Sequence, residues 1–167
     1  YAKKSLKLSM NNYLSFLKQP NQENSKNMLI ASNLAGKAIN ISKTTGPHAV
    51  SYPFSTMFSI DHGHAVSLTL EKFLLFNFKN QNHSKSKFDL SERYKIIFKL
   101  FDVTNIEELS DKIRFMKKEA RLIDDYTKLG INIKQSMNNI LNQINELRLK
   151  NNPIPIKKND LVKILND

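Results

Sequence analysis

Cysteine is absent from the 167 residues, which excludes a disulfide framework and a thiolate metal site and makes a reducing cytoplasm the expected compartment. No apolar run approaches the roughly 20 residues needed to cross a bilayer, so no membrane partner is expected. Glycine occurs four times and proline five times, and valine is scarce. Strand-forming patterns are correspondingly rare. The four glycines form no G-x-G-x-x-G or paired-glycine stretch, so a phosphate-cradling loop is missing. Arginine appears only at Arg93, Arg114, Arg121 and Arg148; there is no arginine-rich arm and no glycine–aromatic RNA-binding motif.

What remains is a lysine-rich, mostly helical chain. Basic residues number 26 against 15 acidic ones, a formal net charge of +11. Such a field favours anionic partners. The lysines are scattered, however, and read as a solvated surface. Two readings follow: a helical part of an enzyme that does not bind nucleic acid, or a basic, non-enzymatic helical module whose partner is nucleic acid.

Apolar residues recur at helical spacing along nearly the whole length. A first helix is expected from about Ala2 to Lys18. No capping residue precedes it, so it reads as a helix cut at its beginning. A second runs from about Gln22 to Asn40 and carries the small residues Ala31, Ala35, Gly36 and Ala38. It reads as a buried central helix, with close packing as the reason for Gly36. Pro47 suits the first turn of a third helix, with Thr44 or Thr45 as its cap. Pro53 predicts a kink or an early break there. A fourth helix, from about Gly63 to Asn77, has few polar positions and is expected to be buried nearly all round. Asn80–Lys87 is a polar loop with an exposed His83.

Helices are expected over Leu90–Leu100 and Asn105–Lys118, the latter capped by Thr104 or Asn105. A short piece over Asp124–Leu129 stops at Gly130. Lys134–Leu149 is amphipathic through Met137, Ile140, Leu141, Ile144 and Leu147, and Asn159 caps a last helix ending at Leu165. The fold class is all-α: a single helical domain over residues 1–167, of about eight helices.

The most apolar and least lysine-rich stretch is Ile41–Leu70. It holds His48 and His62. Neutral imidazoles are good ligands for a divalent transition metal. Two do not close a site, because such an ion wants three or four protein groups. Either these histidines are structural, or part of a metal shell lies outside the chain. His64 follows His62 by two positions, roughly 200° around a helix. It is expected to support the structure through a hydrogen bond rather than share the ion.

Gly46-Pro47-His48-Ala49, followed by Asp61-His62-Gly63-His64-Ala65, resembles the metal-binding stretch of the iron-dependent (group III) alcohol dehydrogenase superfamily. Ala35-Gly36, Tyr52-Pro53, Leu70, Asn77 and the closing Asn151-Asn152-Pro153 agree with it. The resemblance implies the C-terminal helical domain of that fold, which it shares with dehydroquinate synthase-like proteins. The dinucleotide-binding N-terminal domain would then be absent from this chain and would be its partner. It implies that His48 and His62 are two of four ligands to iron or zinc, the remaining Asp and His lying upstream. It further implies a metal-dependent NAD(P) alcohol dehydrogenase or aldehyde reductase acting on a small aldehyde or alcohol. As a fragment the chain is expected to be inactive, to hold metal weakly or not at all, and to be able to self-associate. A family member that has lost the reaction is a further possibility.

One departure concerns Tyr52, which stands where many family members carry another histidine. It either donates a hydrogen bond to substrate or packs as an aromatic. The run His-Ala-Val-Ser-Tyr-Pro is similar to that of the phosphonoacetaldehyde reductases, which implies an anionic phosphonate aldehyde. Lys43 is then a candidate for the anionic group, or simply a lysine of a surface turn.

Overall fold

The computed structural model describes residues 1–166, which form nine α-helices and one 3-10 turn with no strand. The helices are α1 (Ala2–Lys18), α2 (Gln22–Ser42), α3 (Gly46–Phe58), α4 (His62–Lys79), α5 (Leu90–Phe101), α6 (Ile106–Glu119), α7 (Ile133–Asn142), α8 (Glu146–Leu149) and α9 (Lys158–Asn166), with the 3-10 turn at Gln81–His83. The all-α expectation therefore holds. The chain divides into two compact units, one of residues 1–43 with 95–121 and one from Thr44 to Tyr94 with Leu122 onwards. The boundary falls inside α5.

In the first unit α1 and α2 pair as a hairpin. The Ser5 hydroxyl donates to the Ala31 carbonyl at 2.7 Å, and Asn27 donates to the Asn12 side chain at 3.0 Å. Tyr1 occupies the N-cap of α1 without a side-chain cap bond. Asn21 caps α2 through a reciprocal capping box with Asn24. Asn105 caps α6, and Glu108 reaches back to the Thr104 N–H and hydroxyl. These bonds hold the Glu108 carboxyl below its ordinary pKa range.

The reading of α2 as a buried central helix is not borne out. Only Asn24 and Ala31 are buried in it, and Leu29 and Ile41 are 73% and 72% exposed. Gly36 is exposed, and a Cβ there would meet no atom within 4 Å, so close packing does not account for it.

The second unit holds the main core: Ala49, Val50 and Phe54 of α3 against Ala65, Leu68 and Phe73 of α4, closed by Ile131, Ile140, Ile144, Leu161, Ile164 and Leu165. α4 has no exposed position from His64 to Phe78, as its apolar composition predicts. Gly46 is buried under the Phe73 ring, which occupies the space a Cβ would need. His83 is exposed in the 3-10 turn.

Four local expectations are corrected. Pro53 does not end its helix; α3 continues to Phe58. The missing Pro53 N–H frees the Ala49 carbonyl, and the backbone N–H of Asn145 donates to it at 3.4 Å. That bond has a counterpart in the second correction: the amphipathic run Lys134–Leu149 is two helices, broken at 143–145, with Asn145 turned back to cap α8. Leu147 consequently leaves the apolar stripe and is 80% exposed. Third, Asn159 lies inside α9, where the Asp160 carboxylate accepts from the Lys157 N–H at 2.9 Å. Fourth, 126–130 is a hydrogen-bonded turn rather than a helix, ended by Gly130 at φ 73°.

The two glycines predict opposite effects. Gly36→Ala removes a helix-interior glycine with open space around it and should stabilise by about 0.5–1 kcal/mol. Gly46→Ala drives a methyl into Phe73 and should destabilise by about 1–3 kcal/mol. Thermal unfolding of both variants checks this: the first should raise Tm and the second lower it, each by a few degrees.

Candidate metal centre

His48 sits in the first turn of α3 and His62 is the first residue of α4. Packing of α3 on α4 brings the two rings together, with centroids 5.4 Å apart and planes at 59°. Two imidazoles sharing a tetrahedral ion at metal–nitrogen distances near 2.1 Å have centroids about 5 Å apart. The observed spacing therefore fits a shared ion. His48 is half-buried and His62 exposed. Gly63 adds no side chain beside His62, and a Cβ there would meet no atom within 4 Å.

Burial lowers the His48 pKa, and the neighbouring His62 and Arg148 lower it further. The ring is thus favoured in its neutral, ligating form. The Ser51 hydroxyl is fully buried and donates to the His48 carbonyl at 2.9 Å, and its oxygen lies 3.4 Å from His62 Nδ1. With its only proton given to the carbonyl, Ser51 can accept from His62 Nδ1–H. That tautomer leaves the lone pair on Nε2. The shell remains incomplete: among the described residues no group of three or more His, Cys, Asp or Glu is placed to hold an ion. The residues present fit half of a four-ligand site.

Tyr52 shares the face of α3 that carries His48, with its ring 6.0 Å from that of His62. The Arg148 guanidinium carbon lies 5.2 Å over the Tyr52 ring, and Arg148 Nη1 donates to Thr44 Oγ1 at 2.8 Å. Thr44 is thus engaged by Arg148 rather than capping α3. Thr45 takes the N-cap position, also without a side-chain bond. Asn151 donates to the Thr44 carbonyl at 2.9 Å, and Asn152 pairs with Asn77 through bonds of 2.7 and 3.2 Å. These amides clamp the closing Asn-Asn-Pro segment onto α4 and onto the residue leading into α3.

His64 lies outside this cluster of contacts; its Nε2 donates to the Ile123 carbonyl at 2.7 Å. Lys43 ends α2 at φ 63°, with its ammonium donating to the Asn40 carbonyl at 3.3 Å.

Sequence reasoning missed Ser51, Asn145 and Arg148. For Asn145 a signal existed. A proline in mid-helix leaves a carbonyl that must find another donor. Replacing Pro53 by Ala should return the Ala49 carbonyl to its own helix and release Asn145, speeding hydrogen exchange at the Asn145 amide. Ser51→Ala should shift the tautomer balance of His62 toward Nδ1 lone-pair character, seen in its ring 15N chemical shifts.

Comparison with known proteins agrees with this fold. Solved relatives include an archaeal halo-thermophilic Red Sea brine pool alcohol dehydrogenase (TM-score 0.86, 19% identity, 98% of this chain and 42% of that chain covered). Another is a sulfoacetaldehyde reductase from Bifidobacterium kashiwanohense in complex with NAD+ (TM-score 0.80, 24% identity, 98% and 41% covered). The chain thus spans about two fifths of the length of these structures. A phosphonoacetaldehyde reductase from Streptomyces viridochromogenes is 38% identical over 47 residues, 28% of this chain and 12% of that protein. Residues 1–167 match the model of the Fe-containing alcohol dehydrogenase family, C-terminal, and the chain belongs to that family.

Proposed function

We propose that the chain is the metal-binding helical part of a metal-dependent NAD(P) alcohol dehydrogenase working as an aldehyde reductase. The observation that carries this is the 5.4 Å approach of His48 and His62 at the adjoining starts of α3 and α4. His48 and His62 hold the ion, iron or zinc. The other ligands and the dinucleotide site belong to an N-terminal domain and its junction with this one. When bound, the ion supplies Lewis acidity toward the substrate oxygen and the nicotinamide supplies hydride.

The chain's own residues prepare that chemistry. Burial lowers the His48 pKa and so favours its neutral ring, and Ser51 orients His62. Tyr52 presents its phenol beside His62, where it can donate to a substrate oxygen. An anionic aldehyde is the substrate class we favour. The names of the Streptomyces and Bifidobacterium relatives both specify a two-carbon aldehyde bearing a phosphonate or sulfonate. A cytoplasmic location suits a chain without cysteine, and none of its described helices is long and apolar enough to cross a membrane. Self-association would cover Leu29 and Ile41.

The test is NAD(P)H-dependent reduction of phosphonoacetaldehyde by the protein joined to its nucleotide-binding domain. His48→Ala and His62→Ala should each lower kcat/KM by at least about a thousandfold, since each removes a ligand from the ion that stabilises developing charge. Tyr52→Phe should lower it by about ten- to a hundredfold if the phenol hydrogen-bonds the substrate. The 167-residue chain alone should show no turnover. Activity in the isolated chain, or full activity in either histidine variant, contradicts the proposal.

A further inference from the structure

Arg148 is a charged residue that no step above uses. It lies in α8, whose N-cap residue Asn145 donates its N–H to the carbonyl freed by Pro53. Its side chain is half-buried, laid over Tyr52 and tethered by one nitrogen to the Thr44 hydroxyl. No carboxylate among the described residues pairs with it. A guanidinium has five N–H donors in a planar fork. One is committed to Thr44, and stacking on Tyr52 engages only the face of the plane. An edge of donors is left over, beside an aromatic ring whose other neighbour is His62, 6.0 Å away.

A half-buried cation of this kind, without an acidic partner, suits a ligand that brings its own negative charge. A tetrahedral oxyanion matches the fork, two of its oxygens accepting parallel N–H bonds. Distance agrees. From the carbonyl oxygen to the phosphorus or sulfur of a two-carbon aldehyde is about 4 Å by ordinary bond lengths, and an N–H···O contact adds about 3 Å. His62 and the guanidinium both flank the Tyr52 ring, at 6.0 and 5.2 Å from its centre, each within the reach of such a molecule.

We propose that Arg148 is the substrate-anchoring residue that gives this site its preference for aldehydes bearing a phosphonate or sulfonate, with the Tyr52 ring as the floor between anchor and reacting carbon. The proposal rests on the aldehyde-reductase reading and specifies its substrate class. Pro53 gains a role in specificity, because the carbonyl it exposes docks the helix that carries the anchor. The charged tail would reach the guanidinium while the aldehyde lies toward the histidines.

Binding of ethylphosphonate to the 167-residue chain, followed by side-chain NMR of the arginine Nε–H groups and by calorimetry at fixed ionic strength, tests this without turnover. Saturable one-to-one binding that shifts the Arg148 resonance is expected. Arg148→Met should weaken it about ten- to a hundredfold, the worth of a charge-assisted hydrogen-bonded pair. Arg148→Lys should fall between, keeping charge without the fork. Thr44→Val, which removes the tether but not the cation, should weaken it less than Arg148→Met. Lys99→Met, an equal loss of charge on α5, should change it by less than about twofold.

No saturable binding, equal affinity in Arg148→Met, or equal loss in Lys99→Met overturns the anchor. In the protein with its nucleotide-binding domain, Arg148→Met should also lower the ratio of kcat/KM for phosphonoacetaldehyde over propanal by at least about tenfold. Arg148-dependent ethylphosphonate binding in a protein that reduces no aldehyde would refute the dehydrogenase reading and leave the anion site standing. Aldehyde reduction without Arg148-dependent binding would do the reverse.

Discussion

The site depends on how closely α3 lies against α4. Gly46 gives the Phe73 ring the space a side chain would fill. Ala49 and Ala65, both fully buried, keep the facing surfaces thin. Close packing of this kind leaves the two helix starts little freedom to shift. The starts are where it matters here, because His48 lies in the first turn of one helix and His62 at the head of the other. The buried Ser51, touching both the His48 carbonyl and the His62 ring, ties the two together.

A second constraint comes from a hydrogen bond that cannot form. Pro53 has no N–H, and in a packed helix the orphaned Ala49 carbonyl must be satisfied from elsewhere. Asn145 supplies the donor from between α7 and α8. The break in the amphipathic run 134–149, the exposure of Leu147 and the placement of Arg148 over Tyr52 accompany that docking. The residue that reads locally as a helix breaker thus acts at long range, as an acceptor site for another part of the chain.

Much of the architecture was legible because it depends on local periodicity and capping. α1 and α4 follow from their apolar spacing, and the Asn105 cap with Glu108 three residues on is a signal that needs no tertiary context. The histidine pair was legible from composition and motif, since both imidazoles fall in the most apolar, least lysine-rich stretch of the chain. What was not legible depends on partners far along the sequence. The small residues of α2 suggest close packing, yet Gly36 faces open space. Arg148 reads as one more charge on an amphipathic helix, and its meaning comes from Thr44 and Tyr52, about a hundred positions earlier. The role of Ser51 is likewise invisible until both its contacts, to the His48 carbonyl and to the His62 ring, are known.

The central claim is that His48 and His62 are two ligands of one divalent ion. An anomalous-difference map, recorded at the metal absorption edge from crystals of the protein with its nucleotide-binding domain, tests it most directly. A single peak within coordination distance of a ring nitrogen of both His48 and His62 is the predicted result. A peak bound by only one of them, or an ion held by other residues with this pair left out, would contradict the account.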